Sequence, residues 1–464
     1  MVPQPMIVGG QRGGRSLIRA PSRPIGGLAL AVLSAVIVGA LLATSASARP
    51  GDLDPQFGDN GTLTIEGGTL LPGGQAFAVN WRGDDVAAIE SGVVVSGNVS
   101  PFPAEPEGGA VVLKLGADGS IDRSFGDNGT ALIGVRDGFS RRNSVAVQPD
   151  GRIVVAMRVS YFADANETMV LARLLPNGTP DPSFGDQGVA QTGLRLGVGF
   201  TLDLALAPDG RIMVAAKGSP NGLLVARFSS DGRLDPSFSG DGSEVLAVRG
   251  GGEAAALALR PDGRILVAGR SHGVARKSRA VVAQLEPEGG LDGSFGDGGV
   301  VQRRFGRRGG ALISDIALTP AGKVLAAATR RGEEGNERAV VARLRRDGGT
   351  DASFSNDGVW KSRPAEGNKA TLLNTLELHD GRALAAGTLR KSFLVRRFRA
   401  SGKPDRSFGN AGRATTGFGG GRAEISALAL PPAGNLVAIG TRSITTGGGR
   451  SFDSDLAAAG YLLR

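Results

Sequence analysis

The sequence predicts an all-β protein, a seven-bladed β-propeller whose blades are four-stranded antiparallel sheets. The first observation is a short motif centred on phenylalanine, which recurs seven times at spacings of 54 to 68 residues. The second is a hairpin glycine that follows each motif and therefore also occurs seven times. The third is the alternation of apolar and polar residues between these markers, with no helical period. Units of this length fit a propeller blade and are too long for one coil of a β-helix.

The repeated motif is clearest at Asp181–Gly188, where Asp181 precedes Phe184 by three residues and Gly188 follows it by four. All seven copies keep these two spacings. The phenylalanines are Phe57, Phe125, Phe184, Phe238, Phe295, Phe354 and Phe408. A ring at a fixed place in every unit predicts a buried anchor, and the aspartate predicts local hydrogen bonds to the backbone.

One unit contains four predicted strands and a tight hairpin. The strands are Val189–Thr192, Leu202–Ala207, Arg211–Ala216 and Leu223–Phe228. Asp209 and Gly210 tolerate the positive φ of a tight turn, so they predict the hairpin between the second and third of these strands. We place this hairpin between the two inner strands of a blade. The strand after each motif then becomes the outer strand of the preceding blade.

The two ends of the repeat region predict how the ring closes. The region begins with a lone outer-type strand, Thr62–Ile65, and ends on a third-type strand, Leu456–Leu463. The last blade therefore lacks its outer strand. Pairing the first strand with the last blade would remove two exposed sheet edges at once. We expect the N-terminal strand to join the last blade and close the ring.

The repeats resemble the delta-60 repeat, a bacterial β-propeller family of unknown function. The motifs that carry the resemblance are Leu234–Phe238 and Pro261–Gly269, and the likeness extends over essentially Asp54 to Arg464. Ser239 and Ser355 depart from the pattern by replacing the glycine that follows the phenylalanine. The resemblance implies the propeller fold and implies no activity.

The first 48 residues differ from the repeats. They contain four arginines and no acid, then an apolar run from Ile25 to Ala43, then Ala46–Ala48. This order predicts an export signal in residues 1–48, followed by the propeller in residues 49–464. The alternative is an uncleaved signal anchor, because the apolar run is long enough to cross a bilayer. In both cases we expect the body to be extracytoplasmic, either secreted or associated with the cell envelope.

Composition restricts the chemistry. Loss of the signal lowers the formal net charge from +9 to +5, so the mature body is mildly basic. With no cysteine, the chain has no disulfides and no thiolate chemistry, and its stability has to come from a large core. The two histidines, His272 and His379, are predicted on opposite faces. We therefore predict no metal site and no cofactor, and we expect a monomer.

A basic residue precedes the motif aspartate by eight positions in five units, and glutamine takes its place in a sixth. The residues are Lys114, Arg173, Arg227, Gln284, Arg343 and Arg397. The constant spacing predicts that this side chain braces the motif loop through the aspartate. As a partly exposed pair, the interaction would contribute at most about 1 kcal/mol.

The residues at the start of the inner strands, most of them polar, are predicted to form a ring of side chains at the mouth of the central channel. In unit order these positions hold Asp85, Ser144, Asp203, Ala256, Asp315, Thr375 and Ala427. The carboxylates of Asp85, Asp203 and Asp315 have the chemistry to bind a cation or to act as acid and base. The alternative, which we favour, is that solvated polar residues line a wet channel.

Loop lengths vary on one predicted face, which is where function is expected. On this face arginines gather in units four to six. The candidates for anion binding are Arg303, Arg304, Arg307, Arg308, Arg330 and Arg331. They predict an anionic partner, although solvated loops would have the same composition. With only two tryptophans and two tyrosines the chain lacks a base-stacking platform, so we expect no nucleic acid partner.

Together these features predict an exported, non-catalytic propeller that acts as a binding or interaction scaffold. Its expected partner is an anionic envelope polymer or another exported protein. Membrane attachment is expected only if the signal stays uncleaved. The alternative is an enzyme, a hydrolase or lyase, with a carboxylate site at the channel mouth.

Overall fold

The structure, a computed structural model, describes residues 48–66, 80–100, 108–135, 138–161, 167–272, 278–305, 310–331, 337–363, 371–419, 421–432, 434–446 and 451–464. The chain divides into two units, Met1–Ser47 and Ala48–Arg464. The predicted export signal, apart from Ala48, lies outside the described residues. Within them we find no α-helix, and hence none that could span a bilayer.

The described residues form 28 β-strands. The first, β1, is Thr62–Ile65. Sheet 1 contains β2 (Asn80–Ile89), β3 (Gly92–Ser100), β4 (Gly109–Gly116) and β5 (Thr130–Gly134). Sheet 2 contains β6 (Gly138–Val147), β7 (Ile153–Tyr161), β8 (Glu167–Leu174) and β9 (Val189–Leu196). Sheet 3 contains β10 (Leu202–Leu206), β11 (Ile212–Gly218), β12 (Gly222–Phe228) and β13 (Ser243–Leu246).

The remaining strands continue the same order. Sheet 4 contains β14 (Gly252–Leu259), β15 (Ile265–Ser271), β16 (Arg279–Leu285) and β17 (Val300–Arg303). Sheet 5 contains β18 (Gly310–Leu318), β19 (Val324–Arg331), β20 (Arg338–Leu344) and β21 (Val359–Lys361). Sheet 6 contains β22 (Thr371–His379), β23 (Arg382–Leu389), β24 (Ser392–Phe398) and β25 (Arg413–Thr416). Sheet 7 contains β26 (Arg422–Ala429), β27 (Leu436–Thr446) and β28 (Ser451–Tyr461).

Strands adjacent in each sheet pair antiparallel, which confirms the prediction of an all-β fold built from four-stranded antiparallel sheets. Sheets 2 and 3 are linked into one eight-stranded sheet through a single pair, Leu196 opposite Gly218. The fourth strand of sheet 7 is β1, which pairs with β28 so that Thr62 lies opposite Ala459 and Ile65 opposite Leu456. Sheet 7 thus joins the two ends of the described body.

Seven apolar clusters of described residues lie between the sheets. Six lie between sheets that are consecutive in the chain, and the seventh packs sheet 7 against sheet 1 around Phe57. The middle strands contact a neighbour on both faces, so β12 is buried along its whole length. This explains why such strands are rich in leucine, valine and alanine instead of alternating with polar residues.

The motif phenylalanines are buried, as predicted, with at most 1% of each ring exposed. Next to Phe184, the Oδ1 atom of Asp181 accepts hydrogen bonds from the backbone N–H of Ser183 (3.0 Å) and from its hydroxyl (2.7 Å). Gly188 has a φ of +94°, and a Cβ there would lie 2.8 Å from the Cβ of Pro180. The motif is therefore a compact turn that holds the ring beneath it.

The predicted brace is present. The Lys114–Asp122 pair, at 3.0 Å, is partly exposed as expected, whereas the arginine pairs are more deeply buried than expected. Arg173 donates from Nε to Asp181 at 2.8 Å, and its guanidinium carbon lies 4.7 Å from the centre of the Phe184 ring. Its Nη1 also donates to the carbonyl oxygen of Ser230, in the loop that follows β12 of sheet 3. The ring covers the ion pair, so removing one partner should cost more than for a surface pair. Arg227, Arg343 and Arg397 make the equivalent contacts.

Sheet 4 reaches the same result with different residues. Gln284 replaces the arginine and donates from Nε2 to Asp292. Arg260, from the end of β14, donates to the Gln284 side-chain oxygen at 2.5 Å and to the carbonyl oxygen of Gly322 in sheet 5 at 2.7 Å. A guanidinium therefore still connects this sheet to the next one.

Candidate functional site

The inner strands shift register close to the predicted polar residues. Two of these shifts lie between Gly83 and Asp85 and between Ile313 and Asp315. A bulge of this kind interrupts regular pairing and re-aims the following side chain. Asp85 and Asp315 therefore do not simply continue the regular alternation of their strands.

The carboxylates of Asp203 and Asp315 connect neighbouring sheets. Asp203 accepts hydrogen bonds from the backbone N–H of Leu204 at 2.9 Å and from that of Leu257, in sheet 4, at 2.6 Å. Asp315 repeats this arrangement with Ile316 at 2.7 Å and Leu376, in sheet 6, at 2.6 Å. Each carboxylate thus uses both oxygens to hold main-chain N–H groups.

Asp85 makes the same connection between sheets 1 and 2. It accepts from the backbone N–H of Val86 at 2.8 Å and from that of Val145 at 2.9 Å. The hydroxyl of Ser144 donates to it at 2.6 Å. Ser144 occupies the position in its own unit that Asp85 occupies in unit one, so two of the predicted ring residues contact each other directly.

Burial and mutual repulsion raise the pKa values of these acids. Burial, assisted by the charge of Asp85, raises the pKa of Asp203 to about 7. Burial followed by the charge of Asp203 raises the pKa of Asp315 well above its usual range. Burial also raises the pKa of Glu377 in β22 to about 7, to which the Asp85 charge adds. The charges of the acids in sheets 1, 3, 5 and 6 therefore act on one another.

The same acids do not form a metal-binding set. Among the residues that the structure describes, no three histidine or acidic side chains come close enough together to hold an ion. The hydrogen-bond partners of Asp85, Asp203 and Asp315 are main-chain N–H groups and the Ser144 hydroxyl. These contacts hold the backbone of one sheet against the side chains of the next.

A cavity of about 460 Å³ is lined by residues of the inner strands that come just before these acids in the sequence. All seven sheets or their connecting loops contribute to it. Its polar and charged lining includes Arg82, Arg142, Thr201, Ser314, Asn374, Glu424 and Thr441. Asp85, Asp203 and Asp315 come one to three positions after lining residues of their own units and are not themselves among the lining residues.

A buried polar network that was not predicted from the sequence connects sheets 1 and 2 next to Asp85. Asp84 accepts from the side-chain amide of Asn98 and from the backbone N–H of Asn143 at 3.2 Å. Its Oδ1 lies 3.6 Å from Nη1 of Arg142. Burial nevertheless raises the pKa of Asp84 to about 6. Asp84 and Asp85 are neighbours in the sequence, and nothing in the spacing of the repeats showed that they would have different partners.

The arginines predicted to bind anions do not share one site among the described residues. Arg303 lines a second cavity, of about 690 Å³, together with Arg249 and Arg279, but Asp297 and Asp347 line it too. Arg304 is exposed to solvent. Arg307 and Arg308 lie outside the described residues. Arg330 and Arg331 lie on β19, where Nε of Arg331 is 3.0 Å from Oε1 of Glu337.

We expect the free energy of unfolding to fall as the pH rises from about 5 to 7. Asp203, Glu377 and Asp84 have raised pKa values, so the native state keeps protons that the unfolded chain has already released. Each group contributes at most about 1.4 kcal/mol per pH unit. The lowered pKa values of motif acids such as Asp122 act below this window.

Urea titrations at pH 5 and pH 7 measure this dependence. Glu377→Gln removes one titrating group while keeping its shape, so its midpoint should change less with pH. Asp150→Asn, in an exposed hairpin turn, is the matched control and should follow the unmodified protein. A midpoint that rises with pH, or an unchanged pH dependence in Glu377→Gln, would contradict this interpretation.

Comparison with known proteins concerns the repeats. Residues 148–184, 207–238, 260–295 and 320–354 match the model of a domain of unknown function (DUF5122) β-propeller. Four units therefore resemble β-propeller repeats. Each matched segment ends on a motif phenylalanine, and together the segments cover less than half of the chain. No match was found among curated proteins.

Several solved structures are similar over most of their length. A protein of unknown function from Dyadobacter fermentans has 15% sequence identity and a TM-score of 0.41, covering 71% of this chain and 96% of that one. A polysaccharide lyase, an ulvan lyase, has 10% identity and a TM-score of 0.48, covering 82% and 94%. A glucose dehydrogenase has 15% identity and a TM-score of 0.39, covering 70% and 99%. At these identities and TM-scores, none of the three carries an argument about function.

Proposed function

We propose that residues 49–464 form a closed seven-bladed β-propeller of the delta-60 repeat family, exported by the signal in residues 1–48. The seven apolar clusters, one of them between sheets 7 and 1, support the blade count. The pairing of β1 with β28 supports the closure. The body is secreted or held at the cell envelope, as a monomer without a cofactor.

Within this architecture the body acts as a non-catalytic binding scaffold. One observation supports this proposal most directly. The carboxylate oxygens of Asp85, Asp203 and Asp315 accept hydrogen bonds from main-chain N–H groups of a neighbouring sheet. A catalytic acid or base has to reach a proton on the substrate. Carboxylates engaged in this way hold sheets together instead. The partner is an anionic envelope polymer or another exported protein, and not a nucleic acid.

Two acidic polysaccharides, dextran sulfate and polygalacturonate, test this proposal. Residues 49–464 should bind at least one of them, with an affinity that falls as salt screens the charges. The length of the polymer, measured by size-exclusion chromatography after prolonged incubation, should not change. Shortened polymer, with the shortening lost in Asp203→Asn, would support a hydrolase or lyase instead. Absence of binding to both polymers would contradict an anionic polymer as the partner and favour another exported protein.

A further inference from the structure

A cavity of about 980 Å³ beside β21, β24 and β25 has a strongly one-sided charge. The basic residues that line it include Lys361, Arg363, Arg396, Lys403, Arg406 and Arg413. Arg399 is a seventh cation, and none of the lining residues is acidic. We call this cavity the basic groove. It is separate from the channel mouth and from the cavity that contains Arg303.

Five of the seven cations of the basic groove have no acidic partner in the part of the chain that the structure describes. Lys361 lies 3.5 Å from Asp357, and Arg399 lies 3.5 Å from Asp405. The other five form no ion pair with any acid that the structure describes. They are Arg363, Arg396, Lys403, Arg406 and Arg413. Unneutralised positive charges around one concave surface create a potential that attracts anions.

Arg396 is held against an aromatic ring, and its Nε donor has no partner among the described residues. Its guanidinium carbon lies 5.2 Å from the centre of the Trp360 ring, and that ring packs edge-on against Phe398. The Nε atom is buried and has no hydrogen-bond partner among the described residues. Burial, reinforced by the charge of Arg413, lowers the pKa of Arg396 to about 10. An anion bound in the groove would offset the repulsion between these two guanidinium groups.

The other units show that the fold does not require these residues. The position of Arg396 is taken elsewhere by Leu113, Ala172, Ala226, Ala283, Ala342 and Ala459. The position of Arg413 is taken by Thr62, Thr130, Val189, Ser243, Val300 and Val359. The position of Trp360 is taken by Leu63, Ala131, Ala190, Glu244, Val301 and Ala414. Both cations are therefore specific to this groove and not part of the repeat.

We propose that the basic groove binds a linear acidic polysaccharide, with Arg396 and Arg413 as its main contacts; this rests on the proposed function and gives that function a site. Guanidinium groups present paired donors that match sulfate and carboxylate oxygens. The groove is large enough for more than one charged group of a polymer. Arg396 covers a face of Trp360, which disfavours base stacking and hence single-stranded nucleic acid.

Variants that restore the residues of other units test the proposal without disturbing the repeat. In Arg396→Ala and Arg413→Thr, the affinity of residues 49–464 for dextran sulfate or polygalacturonate at low salt should fall about tenfold or more each. The melting temperature should stay the same or rise, because a desolvated cation is removed. Arg303→Ala with Arg304→Ala, at the cavity predicted from the sequence, is the matched control and should retain binding.

Each outcome bears on a different claim. If the double variant Arg396→Ala/Arg413→Thr binds like the unmodified protein, the groove is wrong and the scaffold proposal stands. A lower melting temperature with unchanged affinity would assign Arg396 a purely structural role and overturn the site. Equal loss in the control pair would also overturn it. Tighter binding of a single-stranded DNA oligonucleotide than of either polysaccharide would overturn the ligand class. Absence of binding to both polysaccharides would overturn the groove proposal and the anionic polymer as the partner in the proposed function.

Discussion

Removing residues 49–66 should destroy the cooperative unfolding of the body and cause it to aggregate. This segment contains β1, which pairs with β28 over four residues. It also contains Phe57, which is buried between sheets 7 and 1. Without it, the edge of β28 would expose unpaired N–H and C=O groups that can pair with another molecule.

The cost should exceed that of a single core substitution, because several interactions are lost together. The backbone of Gly51 donates to Leu462 at 2.7 Å, and Asp54 accepts from the side chain of Asn435 at 2.6 Å. Loss of a buried phenylalanine alone costs about 3–5 kcal/mol. Chemical denaturation followed by tryptophan fluorescence measures the effect. A truncated protein that melts as sharply and at the same midpoint would show that the segment is not part of the closed body.

Phe184→Ala should lower the free energy of unfolding by about 3–5 kcal/mol. The ring is fully buried between sheets 2 and 3, and it covers the guanidinium of Arg173. Truncation leaves a cavity and also lets water reach the Arg173–Asp181 pair. The measurement is the midpoint of urea unfolding.

Phe200→Ala is a suitable control for this substitution. The Phe200 side chain is 74% exposed, so its loss should change stability by no more than about 0.5 kcal/mol. If Phe184→Ala and Phe200→Ala have equal midpoints, the motif ring is not a core anchor. Its repetition in every unit would then need a functional explanation.

The fold could be predicted from the sequence because the same motif, with the same structural role, occurs in all seven units. The motif ring, its aspartate and the hairpin glycine each solve a local problem, either a buried anchor or a turn with positive φ. The predicted first strand, Thr62–Ile65, coincides with β1. The burial of the Arg173–Asp181 pair was not predictable from spacing, because it depends on the Phe184 ring lying over it.

Less of the candidate site could be predicted from the sequence. The type of a residue does not show which group, often distant in the chain, will form a hydrogen bond with its side chain. Asp203 was singled out by its position, but its partner Leu257 is 54 residues away and contributes only a backbone N–H. Glu377 was missed because it lies two positions beyond the residue chosen for its unit. Arg396 was hidden beside Arg397, yet comparing the units position by position reveals it, since the other units have alanine or leucine there.

An engineered disulfide between β1 and β28 measures the closure most directly. The chain has no cysteine, so Thr62→Cys with Ala459→Cys introduces a single pair at directly opposite positions. The bond should form in the native protein and raise the free energy of unfolding by about 2–4 kcal/mol, with the gain lost on reduction. The control is Leu113→Cys with Thr130→Cys, the equivalent pair within sheet 1. If the control bond forms and the Thr62–Ala459 bond forms only after unfolding, β1 does not close the ring.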